Sequence, residues 1–265
     1  MTLGFDCATP LTAATAAAFR ADGYMFVARY LVPSGWKALS QEEVEVISDA
    51  GLQIISVFET TANRPLSGRE GGLEDGALAY RLAIDRKQLL GSTVYFAVDF
   101  DAIASQFNVI AEYLAAASEM LPGYNAGVYG SYTVVEEMGS RGVCSHFWQT
   151  YAWSRGKKSE LRNVYQYEND IIAHGIGIDL NESYGNEGWW NTNSLNPIQE
   201  EESNMPMKLE QWQWDMLYEV LGTAYNSDQL SWEWMQKIVD KTMTASELAF
   251  VNTVLDGRVD RDIDV

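Results

Sequence analysis

Five carboxylates fall where apolar, β-branched runs give out. Asp6 closes LGFD, Glu59 closes LQIISVFE, Asp99 and Asp101 end VYFAVDFD, and Asp179 sits in GIGIDL. If each run is a strand of one parallel barrel, these acids meet at its carboxyl-terminal mouth, where barrel active sites form. Asp99 and Asp101 are two residues apart, so alternation points both the same way, turns Phe100 aside and separates their α carbons by about 6.5 Å. Side-chain rotation then covers the range of about 5 to 9.5 Å that glycosidases use, which leaves retention and inversion both open. Glycoside hydrolysis needs a protonated acid for the leaving oxygen and an ionised carboxylate to activate water or stabilise an oxocarbenium-like centre. Repulsion and partial burial in a crowded mouth raise at least one pKa, so both states can coexist. Helix capping is the competing use for any one of these aspartates.

The elements that must position them alternate as βα units from the first residues to about residue 191. Strands are expected at 3–6, 24–30, 52–59, 93–100, 125–130, 145–151, 163–167 and 175–180. TPLTAATAAAFRAD opens on a threonine cap, and SQEEVEVISDAG has a serine cap, an acidic first turn and a glycine stop. Apolar residues recur at three- and four-residue spacing over 71–90 and 103–121, and SYTVVEEMGSRG is a shorter helix-like segment. AWSRGKKSELR and ENDIIAHG are too short or polar for full helices. The expected fold is therefore an α/β, (β/α)8 TIM-like barrel over 1–190 with depleted last helices, in which strand eight closes against strand one and sets Asp179 beside Asp6. A doubly wound open sheet is the alternative, but neither G-x-G-x-x-G nor a phosphate loop is present.

A polar, acidic stretch with two prolines, 191–207, is expected to be a linker, and 208–265 a small three-helix domain. WQWD and WEWM place tryptophans about 200° apart on a helix, so one of each pair must leave the bundle's own core. Self-association or docking through these helices is the expectation.

Other chemistries find little support. Eighteen basic against 37 acidic side chains give a net charge of −19, which repels nucleic acid and anionic membrane surfaces. His146 and His174 lack metal-ligand spacing, no EF-hand loop or G-x-S-x-G elbow occurs, and neither a metal nor a cofactor is expected. Cys7 and Cys144 are expected to be reduced thiols in or near the core. MTLGFDCATP has neither the charged region nor the apolar stretch of a secretory signal, so synthesis in a cytoplasm is expected.

GFDCATP, VARYL, AGLQIISVFE, VYFAVDFD, AGVYGSY, FWQTYAWS, YQY and GIDLNES, in that order, resemble the glycoside-hydrolase-like domain-of-unknown-function 1906 family. That family is similar to the glycoside hydrolase family 25 lysozymes, which cleave peptidoglycan glycan strands. The resemblance covers about residues 2–190 and implies carboxylates at Asp6 and Asp179. It also implies an Asp-x-Glu on strand four whose glutamate donates the proton. Here Asp99 and Asp101 hold those positions, and Asp101 is one methylene shorter than the glutamate.

Aromatic residues at strand ends, Tyr30, Tyr129, Trp148, Tyr151, Tyr167 and Trp189, are candidates to stack on sugar rings. Arg29, Glu59 and Gln166 are candidates to bond substrate or orient a carboxylate. Together these implications point to a peptidoglycan-directed, lysozyme-like hydrolase of the phage endolysin kind, acting at the bacterial wall if released there. A catalytically inactive glycan-binding or assembly module on the same barrel is the alternative.

Overall fold

Eight strands close into one barrel in chain order. They are β1 (Thr2–Asp6), β2 (Phe26–Tyr30), β3 (Gln53–Phe58), β4 (Thr93–Ala97), β5 (Asn125–Gly130), β6 (His146–Thr150), β7 (Val164–Ala173) and β8 (Ile176–Ser183). The computed structural model describes residues 2–194, 206–207, 209–244, 247–248, 251–252 and 255. The chain divides into two compact units, residues 1–194 and 195–265.

Five helices, α1 (Ala13–Ala21), α2 (Gln41–Asp49), α3 (Gly68–Asp85), α4 (Phe107–Glu119) and α5 (Tyr132–Arg141), follow β1 to β5 in turn. Their starts are local decisions. The hydroxyls of Thr12, Ser40 and Ser131 accept from the amides of Thr15, Glu43 and Val134, satisfying donors that a helix leaves unpaired. Gly142 ends α5 in the left-handed region at φ 65°.

β1 to β7 pair in parallel, as such crossovers allow. β8 departs from the expected all-parallel barrel: it runs antiparallel to both β7 and β1. The cause is the turn before it. His174 and Gly175, at φ 48° and 80°, form a two-residue hairpin connection, far too short for a parallel crossover. ENDIIAHG is thus no loop between parallel strands but the end of β7 and this turn.

The hairpin arm also supplies cover that the absent last helix would have given. Ile171, Ala173 and Ile176 pack on the cluster that Phe5, Leu11 and Phe19 form with β2 and α2. At its tip the His174 ring meets the Phe19 ring edge-on at 4.8 Å, and His174 Nε2 lies 2.7 Å from Asp22 Oδ2.

The barrel interior is filled by Phe26, Ala28, Ile55, Val57, Tyr95, Ala97, Trp148 and Val164. Each large side chain so buried contributes about 1.5–3 kcal/mol. Gly4 makes room for one of them, since a β carbon there would lie 2.3 Å from the Phe26 ring. Glycine in GFD therefore lets Phe26 cross the barrel directly below Asp6.

The barrel unit extends past residue 190. Trp190 and Asn191 are buried, and Asn193 Nδ2 donates to the Ser48 carbonyl at the end of α2. The remainder of the expected linker, 195–205, lies outside the described residues.

In the second unit, α6 (Gln211–Asn226) and α7 (Trp232–Val239) share a core of Trp214, Leu221, Leu230, Met235, Ile238 and Met243. Trp214 is 3% exposed and Trp212 60%, as two residues of helical rotation require. Trp234 is half-buried against that core, and Trp232 is exposed beside Tyr225. The expected third helix falls largely outside the described residues; positions 247, 248, 251, 252 and 255 are helical.

Candidate active site

β1 and β8 bring two carboxylates face to face. Asp6 and Asp179 are register partners across the antiparallel pair, and both side chains reach the same amide. Gln166 on β7 donates from Nε2 to Asp6 Oδ2 at 2.8 Å and to Asp179 Oδ2 at 3.1 Å. Its Oε1 is occupied in turn, accepting from the Tyr129 hydroxyl at 2.9 Å and from Thr150 Oγ1 at 2.8 Å. Those two donors fix which way the Gln166 amide faces, so its N–H groups must point at the acids.

Asn181 completes the support. Two residues beyond Asp179, it shares the inward face of β8 and donates from Nδ2 to Asp6 Oδ2 at 2.7 Å. Trp148 Nε1 donates to Asn181 Oδ1 at 2.8 Å, which locks that amide as well. The other oxygen of Asp179, Oδ1, accepts the backbone N–H of Asp170, a residue at φ 61° on the hairpin arm.

Burial dominates the electrostatics. It pushes the Asp6 carboxyl up to about 7, helped by repulsion from Asp179 and then Asp99, while the Asn181 and Gln166 amides pull the other way. Asp179 is also raised, by burial and by Asp170 and Asp99, against the Asp170 N–H. Burial raises Asp99, opposed by the Lys37 ammonium. Burial likewise raises Glu59, opposed by Lys37 and reinforced by Asp99. Tyr30 lies among all four, its hydroxyl pushed up by burial and by Asp6, Glu59, Asp99 and Asp179. A cluster of this kind holds some carboxyls protonated and others ionised near neutral pH.

Asp101 is placed differently from Asp99. β4 ends at Ala97, so the alternation expected to aim both aspartates together stops before either is reached. Asp99 is half-buried, its N–H donating to the Ala62 carbonyl at 3.3 Å, whereas Asp101 is exposed on the loop beyond.

Several expected contact residues lie elsewhere. Arg29 is fully buried on the outer face of β2, forked onto Glu43 of α2 at 2.7 and 3.0 Å and donating to the Cys7 carbonyl. The alternation that turns Ala28 and Tyr30 inward turns Arg29 out, away from the barrel mouth. Tyr167 is likewise turned outward beside Gln166, where Tyr24 and Glu182 act on its hydroxyl. Trp189 packs on Phe26 at 5.8 Å at the amino-terminal end of the barrel, opposite the mouth. Trp148 is 2% exposed, so its ring fills the interior and offers no face to a sugar. Tyr129 packs on it at 4.9 Å, and Tyr151 is exposed with its hydroxyl donating to Asn169 Oδ1.

A family model described as "Rv2525c-like, glycoside hydrolase-like domain" matches residues 17–201. The chain belongs to this family. The Rv2525c-like barrel resembles the crystal structure of the Mycobacterium tuberculosis Tat-secreted protein Rv2525c in complex with L-tartrate, at 22% identity and a TM-score of 0.63, over 71% of this chain and 98% of that one. An uncharacterized B. stearothermophilus protein is similar at 21% identity and a TM-score of 0.57, over 72% of this chain and all of that one. These two likenesses concern the fold. Two proteins of Bacillus subtilis (strain 168) described as uncharacterized, FadG and YbfG, are 26% and 32% identical over 149 and 167 residues, which is 52% and 53% of this chain. The chain spans about a quarter of the length of these curated relatives, 26% and 22%.

Four residues of this Rv2525c-like site escaped the sequence reading: Lys37, Thr150, Asp170 and Asn181. Alternation from Asp179 signals Asn181, and alternation from Trp148 signals Thr150. Lys37 and Asp170 come from a loop and a bulged arm, where no period operates.

Proposed function

We propose that the Rv2525c-like barrel is a peptidoglycan-directed glycoside hydrolase of the lysozyme kind, working at the bacterial wall. The observation that carries this reading is the single Gln166 amide bridging Asp6 and Asp179 within the field of Asp99. The arrangement offers a proton-holding acid and an ionised carboxylate within one mouth, the two states that glycoside cleavage needs.

In this reading the segment after β4 supplies the proton to the leaving oxygen. Partial burial favours Asp99 for that role, because a carboxyl shielded from water holds its proton toward neutral pH. Asp101 occupies the position that the family 25 resemblance gives to the donor, and its exposure favours a role in the outer cleft. Asp179, held by the Gln166 amide and the Asp170 N–H, stays ionised and steers water or a substrate N-acetyl group. Asp6, at 9% exposure, carries the proton of the pair and keeps Asp179 in place. Tyr30 and Tyr129 line the cleft, and the role proposed for this chemistry, if the protein is released at the wall, is endolysin-like wall lysis.

Purified cell walls incubated with the protein should lose turbidity and release new reducing ends. Asp99→Asn should abolish release, and Asp101→Asn should reduce it less. Wall binding without new reducing ends, on walls from several hosts, would replace this reading with a glycan-binding module on the same barrel. Loss on Asp101→Asn with Asp99→Asn active would move the donor to Asp101.

A further inference from the structure

The acid cluster holds one feature that cleavage by carboxylates alone does not call for. Lys37 lies in LVPSGWKALS between β2 and α2, a segment pinned to the barrel where the Leu39 N–H donates to the Tyr30 carbonyl at 2.9 Å and the Leu31 N–H to that of Val57 at 2.8 Å. Its ammonium sits 4.1 Å above the centre of the Tyr30 ring and 3.6 Å from Glu59 Oε2. The side chain is 26% exposed, so its charge is only partly screened by water.

We propose that Lys37 is a positioning residue of the active site, a fixed ammonium that holds the β3 and β4 carboxylates Glu59 and Asp99 in charge balance beside the Asp6–Asp179 pair. The ring beneath it and the carboxylate beside it leave the ammonium little freedom, and a cation over an aromatic face gains electrostatically from the contact. The groups facing Asp99 are Asp6 from β1, Tyr30 and Lys37 from β2 and its loop, Glu59 from β3, Tyr129 from β5 and Asp179 from β8. Burial disfavours ionisation of Asp99, and the Lys37 charge favours it; the Asp99 charge in turn disfavours ionisation of Asp6, Glu59 and Asp179. Without that cation Asp99 and Glu59 would each hold a proton to higher pH, and the balance of acid and base across the mouth would be lost. The catalytic consequence rests on the hydrolase reading; the charge relationship does not.

The test is a carboxyl carbon-13 titration of the full chain, with the Asp99 signal assigned by its loss in Asp99→Asn. Lys37→Met keeps aliphatic cover on Tyr30 and removes the charge, so the Asp99 and Glu59 midpoints should rise by about 1 pH unit. Lys37→Arg keeps the charge and should hold both midpoints within about 0.3 unit of wild type. On cell walls, the alkaline limb of kcat/KM should move up with the Asp99 midpoint in Lys37→Met only. Unmoved midpoints in Lys37→Met would overturn the proposal, as would an equal shift in Lys37→Arg, which marks lost packing instead of lost charge. Should Lys37→Met fail to fold, Lys37→Gln makes the same comparison. A wild type that releases no reducing ends defeats the hydrolase reading, while the titration still decides the role of Lys37.

Discussion

Asp6 lies directly opposite Asp179 across the antiparallel β1–β8 pair, and one amide nitrogen bonds both. Two carboxylates sharing a donor cannot both ionise cheaply, because each is partly desolvated and each repels the other. The pair therefore titrates as a unit, and its proton is best assigned to the more buried member, Asp6.

Replacing Asp6 should change how stability depends on pH. Its carboxyl binds a proton up to about 7 in the folded chain, against 3.8 as an unperturbed group. Between those values the folded state holds more protons than the unfolded state, so stability is greatest at the acidic end and falls as pH rises toward 7. Asp6→Asn removes this dependence and should stabilise the chain by on the order of 2 kcal/mol at pH 8, with little gain at pH 4. Urea unfolding at both pH values measures it. Equal gains would place the Asp6 titration elsewhere.

Gln166→Leu takes the shared donor from both acids and strands the hydroxyls of Tyr129 and Thr150. Under the proposed hydrolase function, release of reducing ends from walls should fall about 100-fold, as expected when catalytic groups shift by about 1 Å. Stability should fall by about 1–3 kcal/mol from the unpaired polar groups. The pH–rate profile should also move to higher pH, since the acids lose a donor that favours ionisation. A profile that keeps its midpoint would show that the Gln166 amide does not tune the pair.

Arg29 serves the fold. Arg29→Met leaves Glu43 charged, buried and without its guanidinium, and should cost about 3–5 kcal/mol. Arg29→Met with Glu43→Leu should recover most of that loss, because two apolar side chains tolerate the site that one bare charge does not. A double-mutant cycle in denaturant checks it. Activity per folded molecule should remain, and its loss in the double variant would return Arg29 to the site.

The hairpin arm links a peripheral contact to Asp179. His174→Ala removes the contact to Asp22 and the packing on Phe19, a loss of about 1 kcal/mol. Because the arm carries the Asp170 N–H, hydrogen exchange at that amide should quicken in the variant. Unchanged exchange there would mean that the tip does not hold the arm in place.

What the sequence determined by itself was local and periodic. Thr12, Ser40 and Ser131 announce their helices through caps that involve three or four residues. Apolar runs mark eight strands, and acids at their ends mark the mouth, because strand alternation and the βα order act over short stretches. The direction of β8 was decided by the left-handed backbone of His174 and Gly175, a signal of two residues within a run otherwise readable as a loop. Which side of a strand faces the cleft was also settled in three dimensions. Arg29 and Tyr30 are neighbours in sequence, yet one is sealed against α2 and the other faces four carboxylates. Trp148 and Trp189 look alike as aromatic candidates, but closure of the barrel puts one in its interior and the other at its far end. Sequence specifies which groups can ionise; only the packed barrel decides which of them lose water and share a donor, since desolvation depends on everything that surrounds a side chain.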